Sequence, residues 1–316
     1  MRVAIAESLG ERAFARLEEV GEVVYLPGHD PRQREWKEAL QAADALLVRN
    51  RTRVDGQLLA LAPRLRWVVR LGSGEDNVDR SLLSQKGVEL YVPKGANAVG
   101  VAEYVLSALF HFARPLQEVS KRVKMGEWRR DLHQGWELYG KTLGILGLGE
   151  TGMRVALRAR SLGMRVVAWA PTKPSHSFLF AEFSVAPREL REVLQESDFL
   201  SLHLPLLPET ERLLDEKAFA LMKRGAVLIN TARGGLVDEE ALRVALAQGH
   251  LGGAVLDVRA KEPPLFPDPL ASFPQVLLTP HLAGHTKESL ERVAEAAVDW
   301  LLTRSAGPRW DPAGRP

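Results

Sequence analysis

The chain has 316 residues, 46% hydrophobic and 26% charged, and this length exceeds what one hydrophobic core usually serves. Its 42 basic and 40 acidic residues leave a formal charge of only +2, which argues against a nucleic-acid partner. The sequence contains no cysteine, so disulfides, thiolate catalysis and cysteine-ligated zinc are excluded, and we predict no metal site.

The distribution of apolar residues predicts a cytoplasmic protein without a membrane partner. No uninterrupted apolar run approaches the roughly 20 residues that a membrane span requires. The longest candidate, residues 99–113, is interrupted by Glu103 and His111. The first residues, MRVAIAES, are typical of a core strand and lack the long apolar region of a signal peptide. The abundance of Arg and Glu and the absence of cysteine indicate a thermophilic source.

Strands and helices alternate in the first third of the chain. Five segments have the β-branched and aromatic composition of strands, namely RVAIAE, EVVYL, ALLVR, RWVVRL and VELYV. Between them lie four short amphipathic helices, ERAFARLEEV, REWKEALQAA, GQLLALAP and SLLSQKG. Such alternation predicts a parallel sheet with helices on its faces.

A long helix is predicted over residues 98–114, and a second strand–helix series follows it. Its six predicted strands lie at residues 142–148, 165–169, 199–203, 226–230, 254–258 and 276–279. Six parallel strands match a complete dinucleotide-binding sheet. The last helix, residues 287–302, begins after that sheet and is expected to return to the first domain. We therefore predict a discontinuous substrate domain of residues 1–97 and 286–316, and a dinucleotide-binding domain of residues 98–285.

A glycine-rich turn marks the candidate cofactor site. Gly147, Gly149 and Gly152 form G-L-G-E-T-G between an apolar strand and an amphipathic helix, a context typical of dinucleotide binding rather than of an ordinary turn. About 20 residues further on, an NAD site usually places an acidic residue that binds the ribose. That position is Ala170 here, with Lys173 close behind it. We expect NAD or NADP as cofactor and favour NADP, because no carboxylate repels a 2′-phosphate.

Arg233, Glu262 and His281 are the candidate catalytic residues, because each follows a predicted strand of the second series. Open α/β sheets bind ligands at the carboxyl ends of their strands. A guanidinium suits a substrate carboxylate, and an imidazole oriented by a carboxylate suits proton transfer near neutral pH. Together the three residues predict interconversion of a 2-keto acid and a 2-hydroxy acid. Taken singly, each of them could instead be structural.

Long segments of the chain resemble the D-isomer-specific 2-hydroxyacid dehydrogenase family. They are GKTLGILGLGETG, SDFLSLHLPLLPET, LMKRGAVLINTARGGLVDEEAL, GHLGGAVLDV and LTPHLAGHT. The resemblance implies a Rossmann cofactor domain, a smaller flavodoxin-like substrate domain, a cleft between the two, and a homodimer. It also implies an NAD(P)-dependent dehydrogenase or reductase.

The resemblance assigns roles to individual residues. Arg233 would bind the substrate carboxylate and carbonyl, His281 would donate or accept the proton, and Glu262 would be its carboxylate partner. Asp257 would contact the nicotinamide carboxamide. Five further residues would line the dinucleotide site, namely Glu150, Thr151, Thr231, Ala232 and Gly284. The chain departs from the family in DVRAKEPP, where an aromatic and acidic residues are commoner.

The substrate side lies in the first domain. The segment RLGSGEDNVD resembles the family's glycine-rich loop, in which the backbone N–H groups of Ser73 and Gly74 would hold the substrate carboxylate. Asn97 matches a position near the substrate. Glu75 occupies a position that is usually apolar, and it must point away from an anionic substrate.

The segment LLVRNRTRVD resembles the phosphoglycerate dehydrogenase branch, in which the positions of Arg49 and Asn50 face a substrate phosphate. Arg49, Arg51 and Arg53 alternate, so a strand would send all three side chains to one face. A phosphate-bearing substrate fits that positive charge, and a solvated arginine edge is the alternative.

Two classes of function follow. The first is an oxidoreductase whose small-molecule substrate is 3-phosphoglycerate, or else glyoxylate or hydroxypyruvate. The second is a dinucleotide-sensing binding protein similar to the transcriptional corepressors of this fold. The compact length favours the enzyme, since the corepressors usually carry partner-docking extensions.

Overall fold

The computed structural model describes residues 1–7, 9–19, 21–26, 33–131, 134–173 and 177–305. The chain divides into two units. One comprises Met1–Asn97 and the segment that begins at Thr286, and the other comprises Ala98–His285. Each unit has its own parallel sheet with helices between the strands, so the predicted fold class of two parallel-sheet α/β domains is confirmed.

The first unit is built on five parallel strands in the order β2-β1-β3-β4-β5, the flavodoxin-like order. These strands are Arg2–Ile5, Glu22–Tyr25, Ala45–Val48, Trp67–Arg70 and Glu89–Tyr91. Helices α1 to α4 alternate with them and span Glu11–Glu18, Arg34–Ala42, Gly56–Leu61 and Arg80–Gln85. Asp55 and Asp79 accept hydrogen bonds from the first backbone N–H groups of α3 and α4, which starts those helices at these residues.

The second unit contains seven parallel strands, β6 to β12. They are Thr142–Leu146, Arg165–Trp169, Ala186–Pro187, Phe199–Leu202, Val227–Asn230, Gly253–Leu256 and Val276–Leu278. Helices α5 to α11 span Ala98–Ala113, Leu116–Lys124, Glu150–Ser161, Phe178–Glu182, Leu190–Glu196, Glu216–Leu221 and Glu239–Ala247. Two 3₁₀ turns lie at Gly234–Leu236 and Pro269–Ser272. The last helix, α12, spans Lys287–Ser305.

Side-chain alternation along the strands produces two apolar layers in the first unit. Ala4, Leu46 and Val68 face one layer, which is covered by α2 to α4 and contains the fully buried Trp36. Val3, Leu47 and Val69 face the opposite layer, which is covered by α1 and α12. Successive strand side chains point to opposite faces, so both faces must be apolar when helices cover both.

The strand order of the second unit determines where its ligand site lies. That order is β12-β11-β10-β9-β6-β7-β8, so β6 and β9 are neighbours and the chain leaves them in opposite directions. This is the switch point at which doubly wound sheets bind ligands beyond their carboxyl ends. All six predicted strands are present. The edge strand β8 was not predicted, because two residues show no periodicity.

Helix α5 packs on α7, and Ala102 and Ala108 of α5 belong to the same buried apolar cluster as Ala156 of α7. Among the helices in the described ranges, none has both the length and the apolar composition needed to cross a bilayer.

Candidate active site

The glycine turn after β6 has the geometry that its sequence predicts. Gly147 has a φ of +101°, and a Cβ there would lie 2.5 Å from the carbonyl oxygen of His203. A Cβ on Gly152 would lie 2.2 Å from the carbonyl oxygen of Gly147. Gly149 caps α7, and a Cβ there would meet no atom within 4 Å. The first and third glycines therefore permit close packing, and the second leaves open space at the helix N-terminus.

The other predicted cofactor residues also lie at the carboxyl ends of strands in this unit. Ala170 follows β7 and is buried. Thr231 follows β10, and its buried hydroxyl makes no hydrogen bond to any described residue. Ala232 is held by a bond of 3.0 Å from its backbone N–H to the Asn230 side chain. Glu150, in the first turn of α7, is exposed and pairs with Arg154 at 3.2 Å. The open N-terminus of α7 and the Thr231 hydroxyl, which lacks a partner among the described residues, fit a dinucleotide.

His203 belongs to the same edge, although it was not predicted. It follows β9, and its Nε2 lies 3.0 Å from the hydroxyl of Ser201. Burial lowers the pKa of His203 to about 4, so its ring is neutral near pH 7. In the sequence the residue is hidden within SLHLP, which is typical of a strand end.

The pair formed by His281 and Glu262 is the centre of the candidate active site. Nδ1 of His281 lies 2.7 Å from Oε2 of Glu262. His281 has a positive φ of 57°, and its backbone N–H donates to the carbonyl oxygens of Asp257 at 2.8 Å and Thr279 at 3.1 Å. Histidine is one of the residues enriched in this left-handed region. The turn thus directs the imidazole toward the loop after β11.

The ionisation of Glu262 fixes the tautomer of its partner. Burial alone would raise the pKa of Glu262, but hydrogen bonds from His281 and from the backbone N–H of Arg259 outweigh it, and the pKa is lowered. An ionised carboxylate only accepts hydrogen bonds, so Nδ1 of His281 carries the hydrogen. Nε2 is then the nitrogen that faces away from Glu262 and can exchange a proton with a substrate.

Arg233 lies near this pair, as shown by the effect of its charge on Glu262 and by the packing of the adjacent Gly234. The positive charge of Arg233 contributes to the lowered pKa of Glu262. A Cβ on Gly234 would lie 1.9 Å from the carbonyl carbon of Arg259. Glycine at this position therefore permits the loop that carries Glu262 to pack directly against the Arg233 turn. The structure brings the three predicted catalytic residues together.

Asp257, which was predicted to contact the nicotinamide carboxamide, is buried beside the His281 turn. It is only 1% exposed. Its Oδ1 accepts hydrogen bonds from Thr279 Oγ1 at 2.7 Å and from the Leu282 N–H at 2.8 Å, and its Oδ2 accepts one from the Ala283 N–H at 2.8 Å. The hydroxyl of Tyr104 lies 2.5 Å from Thr279 Oγ1. Asp257 therefore holds the His281 turn, and neither Thr279 nor Tyr104 was predicted to support it.

In the first unit, the prediction that Arg49, Arg51 and Arg53 share one face of a strand is wrong. Strand β3 ends at Val48, and residues 49–53 form a bend. The buried carboxylate of Glu7 causes this bend, because it accepts the backbone N–H groups of Arg49 at 2.9 Å and Thr52 at 3.1 Å.

Of the three arginines, only Arg49 is half-buried. Its Nε has no hydrogen-bond partner among the described residues. Burial lowers the pKa of Arg49, while the carboxylate of Glu7 opposes this shift. Arg53 is exposed and lies 3.8 Å from Asp55. Asn50 is exposed beside Arg49.

The predicted substrate loop of the first unit has an internal link. The Ser73 hydroxyl lies 2.5 Å from the Asn97 side-chain oxygen, which places these two predicted residues together, next to the buried Gly74. Glu75 does point to other partners, since it pairs with Arg80 at 2.8 Å and lies 4.0 Å from Lys94.

Sequence comparison identifies relatives of most of the chain. A family model described as the NAD binding domain of D-isomer specific 2-hydroxyacid dehydrogenases matches residues 106–283. The (S)-sulfolactate dehydrogenase of Chromohalobacter salexigens is 44% identical over 265 residues, 84% of this chain and 85% of that protein. The D-3-phosphoglycerate dehydrogenase of Methanocaldococcus jannaschii is 36% identical over 289 residues, 92% of this chain. The chain spans only 54% of the length of that second relative.

Structural comparison points in the same direction. An acyclic imino acid reductase in complex with NADPH and D-Arg matches with a TM-score of 0.87 and 25% identity, covering 97% of both chains. A D-lactate dehydrogenase from Aquifex aeolicus, complexed with NAD and lactic acid, matches with a TM-score of 0.86 and 28% identity. That match covers 97% of this chain and 96% of the other.

Proposed function

Because the chain belongs to the D-isomer specific 2-hydroxyacid dehydrogenase family, we propose that it moves a hydride between a nicotinamide dinucleotide and C2 of a small D-2-hydroxy or 2-keto acid. The observation that carries the proposal is the hydrogen bond of 2.7 Å between His281 and the ionised Glu262. An oriented imidazole beside a guanidinium is what carbonyl reduction requires of a protein.

Arg233, His281 and Glu262 have different roles in the proposed reaction. When bound, the dinucleotide supplies or takes up the hydride at C2. Arg233 holds the substrate carboxylate and polarises the carbonyl group. In reduction, protonated His281 gives the proton on Nε2 to the carbonyl oxygen, and Glu262 stabilises the positive imidazole. In oxidation, neutral His281 takes the hydroxyl proton on Nε2. Such acid–base assistance accelerates reactions by ~10²–10⁴-fold.

The preferred substrate carries a second, tetrahedral anion on C3. Two relatives are named for such acids, one a sulfonate and the other a phosphate ester. The half-buried Arg49, with an Nε that lacks a partner among the described residues, provides a matching cation in the first unit. Both 3-phosphoglycerate and sulfolactate satisfy this chemistry. Glyoxylate and hydroxypyruvate, which lack the second anion, are the alternative substrates.

NADP is the favoured cofactor, because the end of β7 carries Ala170 in place of an acidic residue. Ala170 lines a surface pocket together with Lys173 and Arg188. Glu189 and Glu192 line the same pocket. Each of their carboxylates accepts a hydrogen bond from the backbone N–H of the other residue in the capping box of α9. A 2′-phosphate next to Ala170 would lie near Lys173, while Arg188 already pairs with Glu196 at 2.9 Å.

We also propose that the protein is a homodimer formed through the second unit. Helix α6 has no buried residue, and Leu116, Met125 and Trp128 beside it or within it are each about 70% exposed or more. Exposed apolar side chains of this size, grouped on one helix and the residues that follow it, are typical of a subunit interface. Sedimentation velocity tests this proposal, which predicts a dimer that Trp128→Ser weakens, whereas a monomeric wild type contradicts it.

The experiment that tests the activity follows the near-ultraviolet absorbance of the reduced nicotinamide. Phosphohydroxypyruvate, sulfopyruvate, hydroxypyruvate and glyoxylate are each offered with NADH and with NADPH. We expect turnover with at least one 2-keto acid. The highest kcat/KM should be found with a substrate that carries a phosphate or sulfonate on C3. Tight dinucleotide binding without turnover of any acid would instead support the corepressor-like alternative.

A further inference from the structure

Arg259 begins the loop that carries Glu262, and it is part of the departure from the family pattern in DVRAKEPP. Its side chain is only 9% exposed. A guanidinium so close to the catalytic cluster, yet turned away from solvent, must have its charge compensated within the protein. None of the roles assigned under the proposed function uses this residue.

Two carboxylates compensate the charge of Arg259. Glu239, at the start of α11, accepts from Nε at 3.0 Å and from Nη2 at 2.8 Å, which is a bidentate pair. Asp268 accepts from Nη2 at 3.2 Å and also from Nη1. Asp268 is itself nearly buried, with a side chain 7% exposed. The hydrogen bond from Arg259 lowers the pKa of Asp268, so this carboxylate stays charged. The side chain is therefore anchored at both ends of its guanidinium.

The backbone of Arg259 transmits this anchoring to Glu262. The Arg259 N–H donates to Glu262 Oε1 at 3.0 Å, while Glu262 Oε2 bonds to His281. The next N–H, of Ala260, donates to Glu239 Oε1 at 2.9 Å. Each oxygen of the Glu262 carboxylate thus has its own donor, and the Arg259 N–H determines how the carboxylate is rotated about its last bond.

We propose that Arg259 is a positioning residue for the reaction, and that its ion pairs with Glu239 and Asp268 hold the loop in the form that directs the Glu262 carboxylate at His281. The inference rests on the proposed function, since it assumes that Glu262 assists His281. It adds a buried ion-pair anchor to the catalytic machinery. Arg259 acts only through Glu262, and this restriction makes the proposal testable.

A double-mutant cycle on kcat tests this restriction, with Arg259→Met, Glu262→Gln and the double variant. We expect Arg259→Met to lower kcat about tenfold with little change in KM, and to add less than about twofold in the Glu262→Gln background. Arg243→Met is the matched control, because Arg243 pairs with Glu240 on the exposed face of α11. It should leave kcat unchanged.

A second variant keeps the test decisive if Arg259→Met fails to fold, because that change leaves two acidic side chains without their cation. Asp268→Asn retains the oxygen that accepts the Leu270 N–H at 3.0 Å, and it removes from the anchor both the charge and the oxygen that accepts from Arg259 Nη1. It should show the same pattern, with a smaller loss of kcat. Circular dichroism and dinucleotide binding verify that each variant is folded.

The outcomes separate this inference from the proposed function. If the losses of kcat in Arg259→Met and Glu262→Gln multiply fully in the double variant, the positioning role is overturned and the proposed function stays intact. Normal kcat in both Arg259→Met and Asp268→Asn would have the same consequence. Unchanged kcat in Glu262→Gln alone would contradict the role of Glu262 in the proposed function, and with it this inference.

Discussion

Nδ1 of His281 and Oε2 of Glu262 lie 2.7 Å apart, although 19 residues separate them in the chain. The loop after β11 and the turn after β12 bring them together, because parallel neighbouring strands end at the same edge of the sheet. The pair resembles the imidazole–carboxylate pairs that orient a general acid in other enzymes. In the proposed function, this pair holds a proton on Nδ1 and leaves Nε2 for the substrate.

Replacement of His281 tests its role as the proton donor. His281→Asn should lower kcat by ~10²-fold or more, because no other group replaces the proton on Nε2, while the dissociation constant of the dinucleotide stays unchanged. His111→Asn, on the exposed face of α5, is the control. Near-normal turnover of His281→Asn would remove the imidazole from the mechanism.

Replacement of Arg49 tests recognition of the second anion. Arg49→Gln should reduce kcat/KM by about a hundredfold for phosphohydroxypyruvate and sulfopyruvate, because a half-buried anion loses its cation. Glyoxylate, which has no C3 substituent, should lose far less. Arg53→Gln serves as the control, since that side chain is exposed. Equal losses for substrates with and without a C3 anion would contradict the assignment.

A charge introduced at Ala170 tests the basis of cofactor choice. Ala170→Asp should raise the preference for NADH over NADPH by about tenfold or more, because a carboxylate repels the 2′-phosphate and binds ribose hydroxyls. Ala170→Ser controls for the added volume without the charge. The measurement is the ratio of kcat/KM for the two cofactors. A wild type that strongly prefers NADH would contradict the preference for NADP.

The pKa of His203 predicts how stability depends on pH. Burial lowers that pKa from 6.5 to about 4, so the unfolded chain binds a proton in this interval and the folded chain does not. Stability should therefore fall as pH decreases from about 6.5 to about 4. The urea midpoint, followed by tryptophan fluorescence, should show a shallower dependence in His203→Asn than in wild type or in the His111→Asn control. Parallel curves for the three proteins would refute the prediction.

Local sequence signals account for the parts of the fold that were predicted. Runs such as TLGIL and VLIN are buried along their whole length, and their composition is typical of a strand covered on both faces. The glycine turn was predictable for a related reason. Gly152 is required by its contact with the Gly147 backbone within one strand–turn–helix unit, and Gly147 is required by the positive φ of the turn itself.

The features that sequence could not predict depend on partners distant in the chain. The bend at residues 49–53 exists because Glu7, 42 residues before Arg49, accepts backbone N–H groups there. The ion pairs of Arg259 reach 20 residues back to Glu239 and 9 residues forward to Asp268. The inward bonds of Asp257 span more than 20 residues. No periodicity or motif in one segment contains such information.

The most direct test of the central claim follows the hydride itself. Reduced dinucleotide that carries deuterium at the transferable position of the nicotinamide is incubated with the protein and a 2-keto acid, and the hydroxy acid product is analysed by mass spectrometry and NMR. We predict one deuterium on C2 of the product with wild type, and a greatly slowed appearance of the same product with His281→Asn. A product without deuterium on C2, or no product from any 2-keto acid, would contradict the assignment of this chain as a dehydrogenase.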